Sequence, residues 1–298
     1  MGGRLRAIGG ADRQLGGRDG MTYDARAMWR VLEPYHGQTY FAPEALAALT
    51  EIGLRGGWMC YFAGRAAPMG AVSPAVVEAT FAVFEPGRVA RAIPDAWSLA
   101  TPDSVVEAKL AGASQALRRL LGEQVASSEV TEAASLVRRA ADGCDHFGRP
   151  LSAAWATVAW PRDDHLALWL GATILREHRG CGHVAALAGA GLDGVEAVVS
   201  AVACGGVTQA EASIIGWSES ELKAATSRLI DRRWLSAEGR ATEEGIAARG
   251  RIEDETNRLA ASPWRVLGEA GCARLVTLIE PLSAVIASQI PENPFPEA

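Results

Sequence analysis

A chain of 298 residues is long enough for one large or two modest domains, each with a core of its own. Ala, Gly, Arg and Val dominate, Lys occurs only as Lys109 and Lys223, and the net charge of -6 at pH 7 excludes broad electrostatic attraction to nucleic acid or to an anionic membrane, though not a local basic patch. The five cysteines (Cys60, Cys144, Cys181, Cys204, Cys272) are odd in number, widely spaced and free of any C-x-x-C pair, which reads as reduced thiols of a cytosolic protein.

The first twenty residues alternate Gly with Arg and Asp, lack the apolar segment of a signal peptide, and read as a disordered leader. No apolar run reaches the ~18 residues of a membrane helix. Helical periodicity then begins. Ala25 to Tyr35 and Pro43 to Glu51 are short helices, the second opened by Pro43 and stopped by Gly53. Gly64 to Gly70 reads as a polar loop carrying Arg65. Ser73-Pro74 opens a helix to Phe84, which Glu85-Pro86-Gly87 breaks. Thr101-Pro102-Asp103 starts a helix that stops at Gly122. Further helices are expected over Ser127 to Ala141, Leu151 to Trp160, and from His165 to Arg179 behind Asp163-Asp164.

The densest functional chemistry is Arg176-Glu177-His178-Arg179-Gly180-Cys181-Gly182-His183. Gly180 suits the residue just past a helix end, so the cluster reads as a helix–helix junction. Arg176 and Arg179, with Arg65 and His183, are the candidate ligand residues, because guanidinium forks and free N–H groups hold carboxylate or phosphate. Glu177, His178, Cys181 and His183 are the candidate catalytic residues. Glu177 would orient a His base, and a thiol between Arg179 and His183 would be activated as a nucleophile. The bland alternative is an internal salt-bridge network in which Arg65 pairs with Glu177. A metal site fails on spacing, since His178 and His183 are five apart and not four, and no cofactor is expected. Trp155 and Trp169 are candidates to line a cavity for a flat ligand. His36, His146 and His165 read as exposed or capping residues.

Past residue 204 the pattern changes. Thr208 with Glu211, and Ser218 with Glu221, are capping boxes for two helices, the second running to Arg232 with Leu222, Ala225, Leu229 and Ile230 as its buried stripe. Arg233 to Thr242 reads as a short hairpin about Glu238-Gly239, and Thr242-Glu243-Glu244-Gly245 starts a helix to about Ala261. Helix, turn, helix, ribbon, helix is the order of a winged helix-turn-helix. The run Val207 to Leu259 resembles the winged-helix domain of the MarR family, on Thr208-Gln209, Leu229-Ile230-Asp231-Arg232-Arg233-Trp234-Leu235 and Thr242-Glu243-Glu244-Gly245. From Tyr40 onward the chain also resembles a little-characterised actinobacterial family of MarR-like proteins. Tyr40-Phe41-Ala42-Pro43-Glu44, Arg65-Ala66-Ala67-Pro68-Met69-Gly70, Phe84-Glu85-Pro86 and Leu175-Arg176-Glu177-His178-Arg179-Gly180 carry that likeness. Cys181 stands where that family has Asp.

The expected architecture is therefore all-α. A leader (1–20), a helical domain with the candidate ligand site (21–204), a MarR-like winged helix with a short β-ribbon wing (205–262), and a C-terminal helix and tail (263–298) follow in order. The resemblance implies a homodimeric regulator in the cytoplasm that binds a small, anionic or aromatic molecule, with Lys223, Arg228, Arg232 and Arg240 toward DNA. The acidic Glu219 and Glu221 at the start of the recognition helix weigh against DNA. The alternatives are a secondary-metabolism enzyme on the same scaffold, or a structural dimerisation module.

Overall fold

The computed structural model describes residues 23–290, so the leader and the tail beyond Ile290 lie outside the described residues. Within it the helices run in chain order as α1 (Ala25–Gly37), α2 (Pro43–Glu51), α3 (Gly56–Ala66), α4 (Pro74–Phe81), α5 (Pro86–Ala90), α6 (Asp95–Leu99), α7 (Pro102–Leu121) and α8 (Ser128–Asp142). Then come α9 (Pro150–Ala156), α10 (Asp164–Gly189), α11 (Gly194–Ala203), α12 (Gln209–Ser213), α13 (Glu219–Asp231), α14 (Glu243–Leu259) and α15 (Ser262–Ala287).

The helix starts follow local capping chemistry. Asp24, Thr101, Ser127 and Thr242 each accept a backbone N–H of the first turn. Asp193/Glu196, Thr208/Glu211 and Ser218/Glu221 form complete capping boxes. Two segments differ from their sequence reading. Residues 64–66 are the last turn of α3, not a loop, because its apolar side chains at helical spacing (Cys60, Phe62, Ala63, Ala66) bury and outweigh the glycines. Pro86 opens α5 instead of ending structure, since the Glu85 carboxylate caps the N–H groups of Gly87 and Arg88.

One large core joins α1, α3, α7, α8, α15 and the first two thirds of α10, with Tyr35, Phe62, Trp155 and Trp169 among its fully buried side chains. Trp155 and Trp169 meet edge-to-face at 5.9 Å inside it, so they fill the core and do not line a cavity. His36 and His165 are buried as well, at 1% and 3% exposure, and not at the surface. His36 Nδ1 pairs with Thr173 Oγ1 and Nε2 with the Tyr40 hydroxyl, while His165 Nε2 pairs with Ser114 Oγ. α15 is long and apolar enough by composition to cross a membrane. Here it bends at Gly268 and packs Leu275, Leu278, Ile279, Leu282 and Ile286 into this core against α8 and α1.

A second pair of smaller cores joins the end of α10 (Ala186, Leu187) to α11, α12, α13 and α14. The stretch Val195–Ala203 thus lies in α11, which packs on α13. Among the described residues no strand forms. The wing is a single antiparallel bridge, Leu235 with Ala241, and not a ribbon. The reason is local: Ser236 N–H donates to the Arg240 carbonyl, and Thr242 at once begins α14 by bonding back to Arg233 and Trp234. Gly245 closes this corner, since a Cβ there would lie 2.1 Å from the Trp234 carbonyl oxygen.

Candidate functional site: the α10 hub

α10 runs unbroken for 26 residues through Gly180 and Gly182, so the segment Arg176–His183 is not a helix junction. A glycine inside a helix costs up to about 1 kcal/mol relative to Ala. Here the loss is offset by close approach: a Cβ on Gly182 would lie 3.2 Å from Leu259 Cβ of α14. The segment is therefore a helix face, or rather all faces of one helix. Successive residues turn by ~100°, and the six side chains reach different neighbours like spokes.

Glu177 points into the body. Its carboxylate takes Arg65 of α3 in a two-bond fork, Nε to Oε1 at 3.1 Å and Nη2 to Oε2 at 2.9 Å. Arg176 Nη1 adds a bond at 2.9 Å to Oε2. Arg65 also donates to the Tyr61 hydroxyl at 2.7 Å and lies over the Phe81 ring at 4.1 Å. Arg65 is 6% exposed and Glu177 1%. Burial alone would push the Glu177 carboxyl up, but the Arg65 and Arg176 guanidiniums outweigh it and hold it down to about 2. The sequence-derived pairing of Arg65 with Glu177 is present, so both halves of the body contribute to one cluster.

Lys109 of α7 belongs to the same cluster and had no signal in the sequence beyond the rarity of Lys. It is 3% exposed, with its ammonium 4.9 Å from the Tyr40 ring centroid and 5.9 Å from that of Trp169. Burial first, and Arg65 second, push its amine down to about 7. Only the fold brings Lys109, His36 and Tyr40 to Arg65 and Glu177, through the crossing of α1, α3, α7 and α10.

The other spokes turn away from that cluster. Arg179 donates to Glu253 and, at 3.3 Å, to Asn257 Oδ1 of α14, and its guanidinium lies 4.8 Å over the Trp29 ring. His183 Nδ1 pairs with Thr256 Oγ1 at 2.9 Å. His178 and Cys181 face α9 and the loop before it. Burial, then Arg149, pushes His178 down to about 4; burial, then Arg249, does the same to His183. Burial pushes the Cys181 thiol up, and the residue is 8% exposed. An activated nucleophile needs a lowered thiol pKa and access; Cys181 has neither. The four candidate catalytic residues therefore share no common space. The cleft beside Trp29, Glu33, Arg176, His178, Arg179 and Trp264 has a free volume of about 10 Å³, room for one water and not for a drug-sized ligand.

The four candidate DNA residues all have intramolecular partners. Lys223 pairs with Glu219 at 2.6 Å, and Arg240 with Glu238 at 3.3 Å. Arg228 bridges Asp193 at 2.7 Å and Glu196 at 3.0 Å at the start of α11. Arg232 donates to the carbonyls of Gly191 and Ala190 and lies over Trp234 at 4.6 Å.

A family match covers both regions and the hub between them: residues 25–291 fit the helix-turn-helix family. This chain belongs to that family. It is a mostly helical helix-turn-helix protein, and the family pattern includes the body as well as the region of α11 to α14. Neither a characterised protein nor a solved structure matches it.

Proposed function

We propose that this helix-turn-helix protein is a DNA-binding transcriptional regulator of the MarR-like type, in which the helical body responds to a small molecule and passes its state to the winged helix. The observation that carries the reading is the continuity of α10. Residues up to Cys181 lie in the body core, and Ala186 and Leu187 lie in the winged-helix core. A helix shared by two cores moves as a rigid element, so a change at one end biases the other. Family membership supports the DNA-binding half of the reading. The polar ties from α10 to α14, Arg179 to Glu253 and Asn257 and His183 to Thr256, support the sensing half, because they join the body to the helix-turn-helix region through groups that an anion can compete for.

The DNA face in this proposal is the exposed side of α13 with Lys223, and the Arg228, Arg232 and Arg240 side chains join it once they exchange their present partners for phosphates. Homodimer formation and a cytoplasmic location are parts of the same proposal, as is an anionic or aromatic effector. The test is fluorescence anisotropy with the gene's own upstream region at low salt. Salt-sensitive binding at micromolar protein is expected, with log Kd rising with log salt. Absence of such binding overturns the regulator reading.

A further inference from the structure

α14 rests on α1 and α10 along a seam rich in guanidiniums. Three guanidiniums, Arg26 of α1, Arg179 of α10 and Arg249 of α14, gather about Glu253. Arg26 Nε approaches Glu253 Oε1 at 3.6 Å, and Arg179 donates to the same oxygen. Arg249 precedes Glu253 by one helical turn. Among the described residues no ion pair engages Arg249, and neither Arg249 Nη1 nor Arg179 Nε has a hydrogen-bond partner although both atoms are buried. Glu33 is the other carboxylate near Arg179, and burial pushes its carboxyl up. His183 stands beside the pair, held by Thr256. Buried donors left unmade cost about 1–3 kcal/mol each, and a planar guanidinium fork is the group best shaped to take an oxyanion.

We propose that this seam is an oxyanion site: Arg179 and Arg249, with His183 alongside, take a small phosphate-like anion or the carboxylate head of an organic ligand. It deepens the regulator reading and places the effector at α14, not in the closed Arg65–Glu177 cluster. An anion bridging Arg179 and Arg249 competes with Glu253 for Arg179. That contact and the Asn257 and Thr256 bonds hold α14 on α10, so occupancy re-weights the hold of the body on the winged helix. The size of that shift equals the difference in anion affinity between the held and released states.

The test is calorimetric and thermal-shift titration of the full chain with inorganic phosphate and, separately, with benzoate, each against chloride at matched ionic strength. Saturable binding of at least one anion by about 10 mM is expected. Saturation by phosphate alone assigns a phosphorylated ligand, and by benzoate alone a carboxylate. Arg249→Gln should weaken it about tenfold or more, as expected for loss of a charged hydrogen bond. Arg249→Lys, which keeps the charge and lacks the fork, should weaken it less, and Arg251→Gln on the exposed side of α14 should leave it unchanged. No saturable binding of either anion, or equal binding by wild type and both Arg249 variants, overturns the site. If the anion binds as described and DNA does not bind under any anion condition, the site stands and the regulator reading falls.

Discussion

The protein builds Arg–carboxylate contacts in two regions with opposite consequences. In the body, Arg65 and Glu177 are 7% and 2% exposed in their side chains, joined by a fork and closed over by Tyr61 and Phe81. In the region of α11 and α13, Arg228 meets Asp193 and Glu196, the three side chains being 44%, 53% and 7% exposed. The chemistry is the same and the solvent differs. Water screens the Arg228–Asp193 half of the second contact, 44% and 53% exposed, and readily replaces either of those partners, so that half is worth little and is easily exchanged. The first has no such replacement, so breaking it strands a buried charge. The body is therefore locked by its ion pairs, whereas the region of α11 and α13 is only dressed by its exposed ones, and under the proposed function a DNA phosphate competes there.

The largest expected effect is on the buried pair. Glu177→Ala leaves Arg65 and Arg176 without their carboxylate and should lower stability by about 3–5 kcal/mol in urea denaturation. The double change Arg65→Met with Glu177→Leu should recover much of that loss. A loss below 1 kcal/mol for the single change would erase the contrast between the regions.

Acid should find the same asymmetry. Glu177 is held at about 2 against an ordinary 4.5, so its contribution is present above pH 4.5 and is lost as pH falls toward 2. His178 and His183 are held at about 4 against 6.5, so the folded state resists their protonation and stability falls as pH drops from 6.5 through 4. Urea midpoints measured from pH 7 to pH 4 should fall in the wild type and fall less in His183→Gln. A flat profile over that window would remove the burial assigned to both histidines.

Gly245→Ala sets a Cβ against the Trp234 carbonyl and should cost about 1–3 kcal/mol, read as faster hydrogen exchange in α13 and α14 with the body unchanged. The smallest stability effect belongs to Asp193→Asn with Glu196→Gln. These changes keep the capping oxygens of α11 and remove only the charge that engages Arg228. Stability should change by less than about 1 kcal/mol. Under the regulator reading, DNA affinity should rise and the salt dependence should steepen by about one phosphate contact.

Part of this was legible in the sequence. The Ser218/Glu221 capping box and the Leu222–Ile230 stripe defined α13 to within a residue, because cap and stripe are local signals. Pro43 and Thr101 did the same for α2 and α7. Two of the misreadings share one cause, the treatment of Gly as a stop. Gly64 hid the end of α3, where it packs against Leu49 and Lys109, and Gly180 hid the middle of α10. A glycine that ends a helix and one that lets another helix approach look alike until the partner is known. The Arg65–Glu177 pairing was foreseeable from charge. Lys109 and His36 were not, since only the crossing of four helices brings them together, and Arg249 gave no sign at all within an ordinary helical face.

The account turns on α10 being one rigid helix through Arg176–His183. Native-state hydrogen exchange of the amides from Arg179 to Val184 tests it most directly. An unbroken helix packed on Leu259 predicts slow exchange there, comparable with Leu170–Leu175 of the same helix. Fast exchange confined to Gly180–His183 would show a joint in place of the hub, and would disconnect the body from the region of α11 to α14.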